Sequence, residues 1–255
     1  MYHSLTIGTR TTQTKSGSTY SVISGKNTWD DWFLIPSTRP LVNPPKPNTK
    51  GIQVPGRNGT LDMSTVLTGY MTYQNRTGSW EFIVDNDHWD WSTAYSTIMG
   101  YLHGQDKYVA LEDDKEFYYK GLLSVNSWKS DKSWSLITID YDLHPYKRTI
   151  QSSEEDWLWD PFNFETGVIR DYNTTIPSGG SVTFNVYGYL EPTLPWIYSS
   201  SSNVTALYKG SSHGIDSGKN KYSWFKLDEG MNSIEFTNNA SSSVRVYVAH
   251  RGGVF

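Results

Sequence analysis

Val54-Pro55-Gly56-Arg57-Asn58-Gly59-Thr60-Leu61-Asp62 reads as a turn block between two extended runs. Pro55 has a fixed φ and no N–H, Gly56 and Gly59 accept positive φ, and Asn58-Gly59 is a tight-turn pair. Further along, Pro145-Tyr146-Lys147-Arg148 closes the last strand of what reads as an N-terminal domain. Around and between these blocks, strand-like runs and turns alternate.

Upstream, Thr19-Tyr20-Ser21-Val22-Ile23-Ser24 partly alternates, and Asp31-Trp32-Phe33-Leu34-Ile35 is a short apolar run ended by Pro36. Residues 36–50 hold five prolines and two asparagines, an extended loop, because proline cannot donate to a ladder. Downstream, Met71-Thr72-Tyr73-Gln74 and Trp80-Glu81-Phe82-Ile83-Val84 flank Asn75-Arg76-Thr77-Gly78, which predicts a hairpin. Trp91, Tyr95, Ile98, Met99 and Leu102 share one face at a 3.6-residue period and predict one helix. Asp85, Asp87 and Asp90 suit its N-terminus, and Gly100 and Gly104 its end. A second hairpin follows, with strands at 107–111 and 117–125 about an acidic turn at 112–115. Residues 134–141 then alternate, with Ile137, Ile139 and Tyr141 on one face.

Residues 149–162 turn acidic and then aromatic, and read as a linker. Beyond it, strand-like runs at 182–189, 196–199, 204–209, 222–227, 233–236 and 244–249, separated by turn residues, predict a β-sandwich or jelly roll. The fold class expected is all-β with one helix. The expected organisation is a domain over 1–148, a linker over 149–162 and a second domain over 163–255.

Composition narrows the function classes. The 255 residues carry net charge −4 and no cysteine, so disulfide scaffolds and thiolate metal sites are excluded. The scattered Lys and Arg give no basic face of the kind a sequence-reading nucleic-acid binder shows. The first residues show neither the basic nor the apolar region of a signal peptide, and no run approaches ~20 apolar residues, so no membrane insertion is expected. Eleven Trp and eighteen Tyr suit sheet packing and protein interfaces.

Motifs for catalysis are thin. Gly210-Ser211-Ser212-His213-Gly214 fits G-x-S-x-G, with Asp228 and His250 following in hydrolase order. That motif needs a helix after the turn, and Ile215-Asp216-Ser217-Gly218-Lys219-Asn220 cannot open one. Asp85-Asn86-Asp87-His88-Trp89-Asp90 resembles part of a calcium loop but lacks the glycine and glutamate an EF-hand requires, and helix capping explains the same residues. Asp62, Asp113, Asp114, Asp228 and Glu229 are available as a glycosidase pair, but acidic residues on a β-protein usually solvate loops. His3, His88, His103, His144, His213 and His250 show no metal spacing, and there is no nucleotide motif. No catalytic residue, metal or cofactor is expected. Five Asn-x-Ser/Thr sites, at Asn58, Asn75, Asn173, Asn203 and Asn239, follow from a chain rich in Asn, Ser and Thr. In the second domain Trp196, Tyr198 and Trp224 (with Tyr208 and Tyr222) are candidates for sugar or partner contact, against the plainer reading that such rings fill the core or an interface.

The blocks at 54–61 and 145–148, with the helix and three strands between them, resemble the distal tail protein (Dit) family of long-tailed phages of Gram-positive bacteria. Leu227-Asp228-Glu229-Gly230-Met231-Asn232-Ser233-Ile234-Glu235-Phe236 and the strand after it resemble the galectin-like C-terminal domain of many such proteins. The resemblance implies an N-terminal β-sandwich or split-barrel domain that forms a homohexameric ring, with the N-terminal segment and the 107–125 hairpin at subunit contacts, and a peripheral galectin-like domain. It implies a virion protein at the distal end of the tail, assembled in the host cytoplasm, that turns over no substrate. Implied partners are the major tail tube protein, the tail-associated fibre or lysin protein, and receptor-binding proteins. DNA only passes through the channel, and a mildly acidic protein would not retain it. The alternative is a carbohydrate-binding module or adhesin recognising host cell-wall glycan through the C-terminal domain.

Overall fold

The computed structural model describes residues 3–15, 18–84, 90–130, 134–153, 155 and 172–255. The chain forms two compact units: Met1–Arg10, Ile23–Lys147 and Phe255 make the first, and Thr11–Val22 with Arg148–Val254 the second. Strands dominate, as an all-β fold requires, and the described residues include one α-helix. It is too short to cross a membrane, as no described helix is long and apolar enough.

The first elements are β1 (Leu5–Lys15), β2 (Ser18–Asn27), β3 (Leu34–Pro36), β4 (Gly51–Gln53), β5 (Thr60–Asp62) and β6 (Arg76–Val84). Helix α1 (Trp91–Leu102) precedes β7 (Gln105–Leu111), β8 (Phe117–Ser130), β9 (Ser135–Leu143) and β10 (Lys147–Thr149). The main sheet runs β2-β1-β7-β8-β9-β6-β3. β4 and β5 form a separate hairpin with Ile52 opposite Leu61. Its loop is the Pro55–Gly59 block, with Gly56 at φ +80° and Gly59 at φ +78°, values that glycine adopts without steric cost.

Alternation along β9 places Ile137, Ile139, Tyr141 and Leu143 in the core and Leu136, Thr138 and Asp140 on the other face. Asp90 caps α1 by accepting from the Thr93 N–H at 3.3 Å. Ala94, Ile98 and Leu102 are its buried stripe, while Tyr95 and Trp91 lie against Trp128 of β8. Trp91 remains 48% exposed, so the apolar face is narrower than the periodicity predicts. Gly104, at φ +70°, turns the chain into β7.

The predicted hairpin at 75–78 does not form. Arg76 to Gly78 are the start of β6, and Tyr73 makes only an isolated bridge to Pro47. Gly78 is there for space: a Cβ would lie 2.4 Å from the Tyr141 hydroxyl and 2.6 Å from Asn43 Nδ2. Arg76, 4% exposed, points inward. It donates to the carbonyls of Pro145 (2.7 Å) and Asn43 (3.1 Å), and its guanidinium lies 5.5 Å from the Tyr119 ring centre and 5.8 Å from that of Phe255. Burial pulls its pKa below the usual arginine value. The proline-rich loop is tied down at the same place. Asn43 N–H donates to Tyr141 Oη at 3.0 Å, and Trp80 Nε1 donates to Leu41 O at 2.8 Å.

Other residues of the 145–148 block are equally committed. Tyr146 stacks on Phe255 at 5.1 Å and 8°, and Lys147 pairs with Asp114 at 2.6 Å. Arg148 holds Glu191 in a two-bond fork at 2.9 and 2.6 Å, the geometry that suits guanidinium to carboxylate.

The start of β1 is fastened by acids. Glu112 accepts from the backbone and hydroxyl of Ser4, and Asp113 from His3 and Arg39. Both carboxyls are held below their usual pKa: Glu112 by the Ser4 backbone and hydroxyl bonds, Asp113 by the His3 bond first. A depressed folded-state pKa gives stability that is present above the unfolded value and lost as pH falls through the folded one. The β1 amides of Leu5 to Ile7 should therefore lose hydrogen-exchange protection as pH falls below about 4. Asp113→Asn should flatten that acid dependence, and an unchanged profile would disprove the role.

The second unit continues with β11 (Asn173–Ile176), β12 (Ser181–Gly188), β13 (Trp196–Ser199), β14 (Val204–Tyr208), β15 (Ser211–Ile215), β16 (Gly218–Lys221), β17 (Gly230–Asn238), β18 (Val244–Ala249) and β19 (Gly253–Val254). Two antiparallel sheets, β11-β18-β13-β16 and β12-β17-β14-β15, enclose one core that includes Ile197, Phe225, Phe236, Val246 and Val248. This is the sandwich that the strand spacing predicts. The run at 222–227 is not a strand. Phe225 and Leu227 are fully buried, so a loop facing the core copies strand alternation, with one bridge from Leu227 to Thr193. The unpredicted β11, β15 and β16 are edge strands of polar sequence, where one side of the ladder faces no neighbour.

Candidate interaction surface

On β13, Ile197 and Ser199 are fully buried, so Trp196 and Tyr198 project from the opposite, outer face of their sheet. Register then builds a patch. Trp196 lies opposite Lys221 of β16 and Ala249 of β18, and Tyr198 opposite Lys219 and Tyr247. Tyr198 and Tyr247 stack at 4.8 Å and 11°. Lys221 Nζ sits 4.8 Å, and Lys219 Nζ 5.5 Å, from the Trp196 ring centre. Arg245 of β18 lies 5.9 Å from the Tyr247 ring and donates to Asn173 Oδ1 of β11 at 3.0 Å. Trp196 is 40% exposed.

The third predicted contact residue stands apart. Trp224 stacks on His213 at 4.1 Å and 5°, and its other ring neighbours are Tyr222 and Phe225. It packs against the sandwich core. Tyr208 is buried, donating to Lys226 O and Asn232 Oδ1. Burial pushes its pKa up. Sequence reasoning missed Lys221, Arg245 and Tyr247. The alternation of Arg245 and Tyr247 along 244–249 is the signal that places them on one face.

Other candidates separate. Ser212 lies in β15 opposite Leu207, inside a hairpin. Asp228 pairs with Lys209 at 2.5 Å, and His250 Nε2 bonds Tyr187 O at 2.8 Å. The strand–turn–helix context of a nucleophile elbow is therefore missing, and Asp228 and His250 are each engaged elsewhere. Asp62 accepts from the Ser64 hydroxyl and backbone, which lower its pKa. Asp113 and Asp114 each hold a cation, and the low pKa of Asp113 makes it a poor general acid. His103 Nδ1 bonds the Val125 N–H. Residues 85–89 of the calcium-like stretch, and 156–162 of the linker, lie outside the described residues. Among the described residues, no group of three or more His, Asp or Glu side chains could hold a metal.

A search of solved structures supplies the decisive comparison. The chain superposes on the crystal structure of SPP1 Dit (gp 19.1) with a TM-score of 0.56, covering 97% of this chain and 98% of that one at 13% identity. It has the Dit fold. The SPP1 protein is described as a paradigm of the hub adsorption apparatus in phages infecting Gram-positive bacteria. No family model matches the sequence, and no curated protein does. At this identity the likeness is one of backbone fold.

Proposed function

We propose that this chain is a structural component of a phage tail tip, the distal hub ring that joins the tail tube to the tail-associated fibre and receptor-binding apparatus. The observation that carries this reading is the fold match, which spans both units and nearly the whole of the hub protein. The first unit would form the ring, and the second, galectin-like sandwich would lie at its periphery. The virion is its place, and the tail tube protein and the fibre or lysin protein are its neighbours.

Exposed apolar side chains support a role in assembly. Leu41, Ile52, Val54, Val66 and Leu67 all fall within one stretch of the first unit, and Leu67 is 95% exposed. Burying such side chains against another molecule is worth roughly 1.5–3 kcal/mol each. The 107–125 hairpin is internal to its sheet, β7 pairing with β1 and β8, and β8 with β7, β9 and β10, so a contact there would be made through its tip and side chains. In a ring, heterologous contacts close head to tail.

Negative-stain microscopy of the purified protein, alone or with its tail-tube partner, should show rings of six. A monomer that persists beside all its tail neighbours would overturn the hub reading. Leu67→Asp should weaken ring formation at least tenfold in sedimentation equilibrium while leaving the melting temperature unchanged.

A further inference from the structure

We propose that the outer face of the β11-β18-β13-β16 sheet binds an anionic polysaccharide. This goes beyond the hub role, and binding can be measured whether or not rings form.

Charge is segregated across the sandwich. The outward strand positions of this sheet carry Lys219, Lys221 and Arg245 and no carboxylate. The outer face of the other sheet, built from the alternate residues of β12, β17, β14 and β15, carries Glu235 as its one charged residue. The whole chain is acidic, with net charge −4. A cationic face on an acidic protein gives attraction that is local and directional, and complementary charge at a surface selects the partner.

The rings decide which kind of anion fits. A nucleic acid binds such surfaces by stacking its bases on open aromatic faces. Here Tyr198 and Tyr247 already stack on each other, and the Trp196 ring lies beneath two ammonium groups. The pair of tyrosines stands across adjacent strands, each covering one face of the other, and in register Tyr198 has Lys219 on its other side and Tyr247 has Asn173. A ligand therefore meets mainly ring edges, phenol hydroxyls, the Asn173 amide and cations. That set matches a hydroxyl-rich chain bearing acidic groups. Arg245 and Lys221 lie two strands apart and, by the register, four residues apart along them, roughly 16 Å in all, far enough to engage acidic groups on different sugars. Lys221 need only swing off the indole to meet an anion, exchanging one cation–π contact for a charge-assisted hydrogen bond.

The test is isothermal titration of the full chain with polygalacturonate and dextran phosphate, against neutral dextran, polyglutamate and single-stranded DNA of similar length. Binding to at least one acidic polysaccharide is expected, weakening with added salt, and neutral dextran should not bind. The double variant Lys221→Glu/Arg245→Glu should lose at least tenfold in affinity, and Lys221→Gln/Arg245→Gln somewhat less. Lys50→Glu in the first unit should leave affinity within twofold, separating a local site from a general charge effect. Circular dichroism melts confirm that each variant is folded. Absence of binding to both acidic polysaccharides overturns the proposal. So does equal or tighter binding of DNA or polyglutamate, or an equal loss in Lys50→Glu. Failure of ring assembly with binding intact would count against the hub reading alone.

Discussion

Arg76→Ala should cost the first unit about 3 kcal/mol of stability, because it takes the donor from two part-buried carbonyls and opens a cavity beside two rings where a buried side chain stood. The carbonyls are those of Asn43 and Pro145, which anchor the proline-rich loop and the segment leaving β9. No carboxylate faces the guanidinium among its described contacts, so its charge is balanced by carbonyl dipoles and the faces of Tyr119 and Phe255. Lysine cannot replace it. One ammonium lacks the planar fork that reaches two carbonyls in different directions. In scanning calorimetry the transition of the first unit should fall by about 10 °C for Arg76→Ala, and Arg76→Lys should recover only part of this. A change within 2 °C of the parent would show that Arg76 is a passenger rather than the node joining these segments.

Asn238→Ala should have a comparable effect on the second unit. The side chain is fully buried at the end of β17. Its Nδ2 lies within reach of the carbonyls of Ile176 (3.0 Å), Pro177 (3.1 Å) and Ser242 (2.8 Å), while Oδ1 accepts from the Ala240 N–H at 2.8 Å. One amide thus closes the turn between β17 and β18 and ties it to the end of β11. Each stranded buried group costs about 1–3 kcal/mol, so a loss of about 3 kcal/mol is a conservative expectation. Asn238→Asp is the sharper comparison. It keeps the size and the Oδ1 acceptor but replaces the amide donor with an anion facing carbonyl oxygens, so it should be at least as damaging. Urea unfolding followed by the Trp fluorescence of the sandwich would measure both. If Asn238→Asp proved as stable as the parent, the carbonyl contacts would carry no energy.

The neighbouring Asn239 shows the limit of motif reading. It is the residue that a sequon search selects, and its amide bonds Thr205 Oγ1 at an exposed position. Asn238, which matches no motif, carries the turn. Nothing local marks a buried asparagine, because its partners come from segments distant in sequence. Arg76 is similar. Asn75-Arg76-Thr77-Gly78 has turn composition, and only the ring of Tyr141 over Gly78 explains a glycine inside a strand.

Where the local pattern and the tertiary environment agree, the residues alone suffice. Asp90, the stripe of α1 and the isoleucines of β9 were readable because helix and strand periods select a face without reference to neighbours. Pro55 to Gly59 were readable because positive φ restricts residue type. The mostly β class, helix α1 and the sandwich of the second half all follow from such local rules. The patch around Trp196 does not. Cross-strand register alone puts Lys221 and Tyr247 beside residues distant in sequence, and it leaves Trp224 stacked on His213 against the core. Strand order and register are set by long-range pairing, which periodicity cannot encode, so the surface was decided only when the sheets closed.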